Sequence, residues 1–308
     1  MSTCTFLDGT KVSDYGRPYF IAEVNSSHNG SMETARRMID AAADCVKFQS
    51  WSAASLYSKT YYDENPIAKR FVDRFALSPE QLKELSAYAR SKELAFSSTP
   101  YAEEEVDFLL EECCVPFLKI ASMELDHLDF LSYIGRKKVP LVLSTGMGTM
   151  EEIRRAVQIL ERAGTEQMTL LHCVSIYPTQ VETLNLRNIL GLRKEFPQYP
   201  IGFSDHTEGD AAAIAAVALG AALVEKHLTL DRTKVGMDNG MATEPEPFRQ
   251  MVASCRMVQE GLGIEERIVY PEEMKQRRKM RRSVIVIKDF PAGHVLRAED
   301  LYAKRPGT

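Results

Sequence analysis

IGFSDHTEGDAAAIAAVALGAALVEKHLTLD, residues 201–231, decides how the rest of this chain is read. An apolar run (Pro200 to Phe203) turns through Ser204-Asp205-His206-Thr207-Glu208-Gly209 and continues as an Ala-rich helix. It then re-enters an apolar strand, Ala222 to Val224, that closes on Glu225-Lys226-His227. This is a strand–helix–strand unit with polar residues gathered just past the carboxyl end of each strand. Parallel strands set those ends on one face of a sheet or barrel, where such folds carry their sites. His206 and His227 are therefore predicted neighbours. Two imidazoles converging from adjacent strands form a candidate metal site; the plainer alternative is that each caps its strand in a hydrogen bond.

The same alternation runs outward from this unit. Strands are predicted over 19–24, 45–48, 95–97, 117–120, 141–143, 169–174, 201–203 and 222–224. Helical patterns lie between them at 32–43, 78–92, 102–112, 126–135, 149–163, 186–195 and 209–219, with a last one at 246–261. Ser78-Pro79-Glu80 sets a cap before a proline at the first helical position, and Thr149-Met150-Glu151-Glu152 has the pattern of a capping box. Eight strand–helix repeats over about 260 residues match the count and length of a (β/α)8 TIM barrel. A doubly wound open sheet is the runner-up, but no G-x-G-x-x-G follows any strand, which removes its dinucleotide-binding version.

At 308 residues, 44% apolar and 26% charged, the chain has enough material for a large core. The net charge of −5 argues against a nucleic-acid partner. Six cysteines without C-x-x-C spacing fit reduced thiols in a cytoplasmic protein. The N-terminus MSTCTFLDGTKVSD has no signal pattern, and no apolar run approaches the roughly 18–20 residues needed to span a bilayer. Residues 1–264 are read as the barrel, and the charged stretch 265–282 as a linker. A strand and turn follow within 283–308, too short for an independent core.

The strand ends carry the chemistry. Strand one supplies Glu23; strand two Lys47 and Gln49, alternating so that both point to one side. Strand three ends at Thr99, strand four gives Lys119, Ser122 and Glu124, strand six leads to Ser175 and Tyr177. Strand seven gives Ser204 and His206, strand eight Glu225 and His227, and the next loop Asp238. Lysines inside the apolar strands VKFQ and LKIAS are costly unless an anion or carboxylate meets them. One reading pairs them with Glu23, Glu124 or Glu225. The other is capture of a phosphate or carboxylate, aided by the Thr99, Ser122 and Ser204 hydroxyls. With a divalent metal as Lewis acid, that clamp suggests carbon–carbon bond formation from an enol phosphate, or a class II aldolase-type reaction.

These residues resemble the sialic acid (N-acetylneuraminate) synthases and their legionaminic and pseudaminic acid relatives. The resemblance rests on IAEVNSSHNG (21–30), DCVKFQ (44–49), SSTP (97–100), LKIASMEL (118–125), LSTGM (143–147), LLHCVSIYPT (170–179), IGFSDHTEG (201–209) and EKHLTLDR (225–232). The tail RRSVIVIKDFPAGHVLRAEDLYAKRPG (281–307) is similar to the start of that family's antifreeze-like domain, and the chain stops where the domain would continue for roughly half its length. The resemblance implies condensation of phosphoenolpyruvate with an N-acyl amino-hexose to a nine-carbon 2-keto acid. It implies a divalent metal, manganese or magnesium, on His206 and His227, with Glu23 beside the aldehyde. It implies that Lys47, Thr99, Lys119, Ser122, Ser175 and Ser204 surround phosphoenolpyruvate, and that Gln49, Glu124, Tyr177 and Asp238 face the sugar. It further implies a homodimer in which Arg305, carried by a swapped C-terminal segment, meets the sugar's N-acyl group.

Departures from the family pattern fall in loops. Asn25 and Ser27 replace a Gly and an Asn ahead of His28, Ser175 stands where some relatives carry Asn, and GMDNGMATEPEPF (236–248) replaces a G-P-D pattern while keeping Asp238. These changes bear on the acceptor sugar rather than on the chemistry. A phosphoenolpyruvate- or sugar-binding protein without turnover, and another metal-dependent barrel lyase, are the alternative readings.

Overall fold

The computed structural model describes residues 2–305. Eight parallel strands form the barrel: β1 (Tyr19–Glu23), β2 (Cys45–Gln49), β3 (Ala95–Thr99), β4 (Leu118–Ile120), β5 (Leu141–Ser144), β6 (Met168–Cys173), β7 (Ile201–Asp205) and β8 (Leu223–His227). Their order is β3-β2-β1-β8-β7-β6-β5-β4, so the last strand pairs with the first, His227 opposite Glu23. β3 and β4 flank the seam, where Ser97 Oγ donates to the Phe117 carbonyl at 3.3 Å. The strands are buried on both faces, which is why they read as apolar runs rather than as alternation.

A helix follows each strand: α1 (Met32–Ala41), α2 (Pro79–Ser91), α3 (Glu103–Glu111), α4 (Leu128–Arg136), α5 (Met150–Ala163), α6 (Asn188–Glu195), α7 (Ala211–Ala218) and α8 (Pro245–Leu262). Both expected caps form. Ser78 and Gln81 exchange bonds at the start of α2, with Pro79 at its first position, and Thr149 and Glu152 do the same for α5. The helices' apolar faces and the outward strand residues make the main core, with Phe48, Phe96, Leu118 and Phe203 at its centre.

A second core fills the lower half of the barrel. An N-terminal antiparallel hairpin, Thr3–Thr5 with Lys11–Ser13, lays Cys4, Phe6 and Val12 against Tyr19, Ile21, Phe117, Val142, Leu171 and Leu223. Phe6 and Phe117 lie 4.5 Å apart between ring centroids. This plug closes the N-terminal end, so the polar inward residues collect at the other.

Two stretches depart from the expected loops. Between β2 and α2 the chain forms short helices, Ala53–Leu56, Lys59–Glu64 and Pro66–Phe75, over an aromatic cluster of Trp51, Tyr62, Phe75 and Tyr101. The chain divides into two compact units, Met1–Leu262 and Gly263–Thr308. In the second, Pro271–Met280 is helical within the stretch expected as a linker; none of its side chains is buried, so it offers no apolar periodicity. Ser283–Val286 pairs antiparallel with Leu301–Lys304. Pro306-Gly307-Thr308, the end of the antifreeze-like match, lies outside the described residues.

Candidate active site

Alternation along the strands selects what enters the barrel. Glu23, Lys47, Gln49, Thr99, Lys119, Ser204, Glu225 and His227 point inward and reach one cavity of about 350 Å³ at the C-terminal end. The loops beyond add Ser122, Ser175, Tyr177, His206 and Asp238. One expected residue of the barrel unit is not among those lining it. Glu124 sits in a 3₁₀ turn (Ser122–Glu124) that aims its carboxylate at His127 Nδ1, 2.9 Å away, and it does not line the cavity. Arg305 is an exposed residue of the second unit.

The floor of the cavity is a network of buried charge. Lys47 contacts the Glu23 carboxylate, donates to Thr99 Oγ1 at 3.0 Å, and lies 3.7 Å from Glu225 Oε2. Lys119 lies 3.6 Å from Glu225 Oε1 and donates to Ser144 Oγ at 2.8 Å. Ser204 Oγ donates to Glu225 Oε1 at 3.0 Å. Burial lowers the Lys47 pKa, but Glu225 and Glu23 outweigh it and hold the ammonium charged. Burial and the neighbouring Lys47 charge pull Lys119 down despite Glu225. The carboxylates separate in the same way. Burial raises Glu23, with Lys47 only partly offsetting it, whereas Lys119 and Lys47 overcome burial and keep Glu225 low. Glu23 is thus the carboxylate better suited to hold a proton.

Both arms of the Lys–Glu pairing expectation are therefore satisfied by Glu23 and Glu225, not by Glu124. Glu225 was legible by parity, two residues before His227 on one strand face, yet its place between Lys47 of β2 and Lys119 of β4 needed the closure of the barrel. Trp51, Tyr57, Tyr101 and Cys173, which no sequence signal marked, also line the cavity, as do Asn25 and Ser144.

The two imidazoles stand together above this floor, ring centroids 5.4 Å apart and tilted by 58°. His206 Nδ1 lies 2.8 Å from the Val174 carbonyl, which fixes the proton there and leaves Nε2 with a free lone pair. His227 Nδ1 is buried with no hydrogen-bond partner among the described residues; Asp238 Oδ2 is 3.9 Å away. Burial and the charges of His206 and Lys47 drive His227 well below its usual pKa, which keeps its ring neutral and free to accept a cation. Burial also opposes protonation of His206, but the Cys173 sulfur and the Val174 carbonyl outweigh it, and a cation there must displace a proton. No group of three or more His, Cys, Asp or Glu side chains among the described residues is arranged as a cage. An orphaned buried nitrogen beside a free lone pair fits a cation with several coordination positions left to ligands other than the protein.

A parallel barrel whose open end combines buried ammonium groups, carboxylates and paired imidazoles has the arrangement of a barrel enzyme's active site. The NeuB family is matched over residues 35–267. An N,N'-diacetyllegionaminic acid synthase of Legionella pneumophila is 34% identical over 94% of this chain and 86% of its own length. Mouse N-acetylneuraminate-9-phosphate synthase is 34% identical over 93% of this chain and 82% of its own. The crystal structure of a sialic acid synthetase from Leptospira borgpetersenii, in complex with citrate, superposes with a TM-score of 0.80 at 30% identity, covering 91% of this chain and 98% of that one. The chain belongs to the NeuB family and is an enzyme of that family.

Proposed function

We propose that this enzyme condenses phosphoenolpyruvate with an N-acyl amino-hexose, N-acetylmannosamine or a 2,4-diacetamido relative, to a nine-carbon 2-keto acid with release of phosphate. One observation carries the reading: Lys47 and Lys119 meet around Glu225 on the floor of the cavity whose upper wall holds His206 and His227. Two fixed ammonium groups suit an anion with two acidic ends, and hydroxyls of Thr99, Ser122, Ser144, Ser175 and Ser204 stand around them.

His206 and His227 would hold a divalent metal, manganese or magnesium, which would supply Lewis-acid polarisation of a carbonyl. C3 of phosphoenolpyruvate attacks the aldehyde carbon, water adds at C2, and the resulting tetrahedral centre collapses to the ketone as its C2–O bond to phosphate breaks and its hydroxyl proton leaves with the phosphate. Lys47 and Lys119 hold the phosphate from binding until it leaves. Glu23 delivers a proton to the new hydroxyl and recovers one from the added water, a role suited to its raised pKa. Tyr177, its ring centroid 4.2 Å from that of His206 and tilted by 39°, and Asp238, bonded to Asn25, bound the sugar's half of the cavity.

The resemblance extends the proposal to a homodimer in which Arg305 reaches the N-acyl group of sugar bound in a partner subunit, within a cytoplasmic protein; mass in solution tests the dimer. No helix among the described residues is long and apolar enough to cross a membrane. The reaction itself is tested by screening phosphate release from phosphoenolpyruvate against N-acetylmannosamine and 2,4-diacetamido hexoses. Release that depends on an acceptor is expected. Binding of phosphoenolpyruvate with no release against any acceptor would leave only the binding-protein reading.

A further inference from the structure

Gln49 carries a constraint that its sequence position does not reveal. Its Oε1 accepts two hydrogen bonds at once, from Trp51 Nε1 at 2.9 Å and from Tyr101 Oη at 3.0 Å. An indole N–H can only donate, so the amide cannot turn its NH₂ toward Trp51 without facing donor with donor. The orientation of the amide is therefore set by chemistry. Among the described residues none accepts a hydrogen bond from Gln49 Nε2, and Gln49 lines the cavity.

The geometry repeats on two neighbouring strands. Gln49 pairs in register with Thr99, and Trp51 and Tyr101 each lie two residues further along the same exits. Lys47 lies one inward position below Gln49, roughly 7 Å nearer the barrel floor. An anion seated on the lysines thus leaves Gln49 beside the second substrate. Trp51 and Tyr101 are themselves buried in the aromatic cluster with Tyr62, Val72 and Phe75, so the two donors are held by packing.

We infer that Trp51 and Tyr101 are positioning residues that lock the Gln49 amide so that it offers only N–H donors to the acceptor sugar, selecting an acceptor oxygen, an acyl carbonyl or a hydroxyl, at that place. The inference rests on the condensation proposed above. Its energetic content is one hydrogen bond kept in a single orientation, a factor of about 2–10 in apparent affinity.

Tyr101→Phe deletes only the hydroxyl and is the central variant; Trp51→Phe tests the same bond with more disturbance to packing. Phosphate release is measured with acceptor and phosphoenolpyruvate varied in turn. Tyr101→Phe should raise the KM for the acceptor about fivefold relative to the KM for phosphoenolpyruvate. Gln49→Glu keeps both bonds to Trp51 and Tyr101 but presents an oxygen to the cavity, and should raise the acceptor KM at least about tenfold. In a Gln49→Leu background, Tyr101→Phe should add nothing, because its effect passes through the amide. An equal Tyr101→Phe effect in both backgrounds, or an acceptor KM unmoved by Gln49→Glu, would overturn the inference while the condensation stood. Absence of turnover in the wild-type protein would instead remove the condensation, and this inference with it.

Discussion

Lys47→Met replaces a buried ammonium by a side chain of similar length and leaves two carboxylates behind. Glu225 keeps Lys119 at 3.6 Å and the Ser204 hydroxyl at 3.0 Å. Glu23 keeps only the backbone N–H of Asn25, at 2.7 Å, while 2% exposed. At an effective dielectric of about 20, a unit pair at the 3.7 Å of Lys47 and Glu225 is worth roughly 4–5 kcal/mol. Removing one partner of a buried pair costs about 3–5 kcal/mol, so a loss of that size is expected. Glu23 can escape by taking up a proton. Its folded pKa already lies above the unfolded value, so its penalty is complete above the folded pKa and disappears below the unfolded one, roughly 4.3. The deficit of the variant should therefore be larger at about pH 8 than at about pH 5. Urea unfolding followed by Trp51, the single tryptophan and a residue of the barrel unit, measures it without contribution from the C-terminal unit. Replacing both partners, Lys47→Met with Glu23→Leu, should recover most of the loss. A single variant within about 1 kcal/mol of wild type at the higher pH, or a double variant no better than the single, would refute this account of the floor.

Other outcomes follow from the same structure. His28 is buried, its Nδ1 accepts from Gly30 N at 3.0 Å, and burial pushes its pKa down to about 4. The unfolded chain therefore binds a proton first, and roughly 3 kcal/mol of stability should be lost as pH falls from about 6.5 to 4, a slope that His28→Gln should flatten in pH-dependent urea melts. Gly202→Ala would place a methyl 2.6 Å from both the Leu223 carbonyl and Leu171 Cδ2 inside the barrel, and should lower the unfolding midpoint by the equivalent of about 1–3 kcal/mol; a neutral effect would mean that this layer is loosely packed. His227→Ala should abolish the calorimetric heat of manganese binding with the circular dichroism of the barrel unchanged, and wild-type affinity should rise with pH as His206 gives up its proton; retained binding heat would end the two-imidazole assignment.

Most of the barrel could be read from apolar runs because its strands are buried on both faces and its helix starts carry real caps, Ser78 and Thr149 among them. The N-terminal hairpin could not. Each of its three-residue strands buries one residue, Cys4 or Val12, which leaves no period to detect. The short helices over residues 53–75 escaped for a related reason: their buried groups, Tyr62, Val72 and Phe75, are spread across separate segments and come together in one cluster with Trp51 and Tyr101. At the site, the positions of Lys47 and Lys119 within apolar strands and of both histidines at strand ends were legible, and all four line one cavity. Glu124 lies where the chain has left the strand, and a 3₁₀ turn directs its side chain to His127. Contacts across strands, such as Glu225 between two lysines or Gln49 between Trp51 and Tyr101, depend on barrel register, and no single segment encodes them.

The mass balance of a single reaction bears most directly on the central claim, that the ammonium floor and the imidazole wall serve one condensation. With phosphoenolpyruvate and a productive acceptor, the account predicts one phosphate released for each 2-keto acid whose mass is the sum of sugar, phosphoenolpyruvate and water less phosphoric acid. Phosphate accompanied by free pyruvate and unchanged sugar would contradict it.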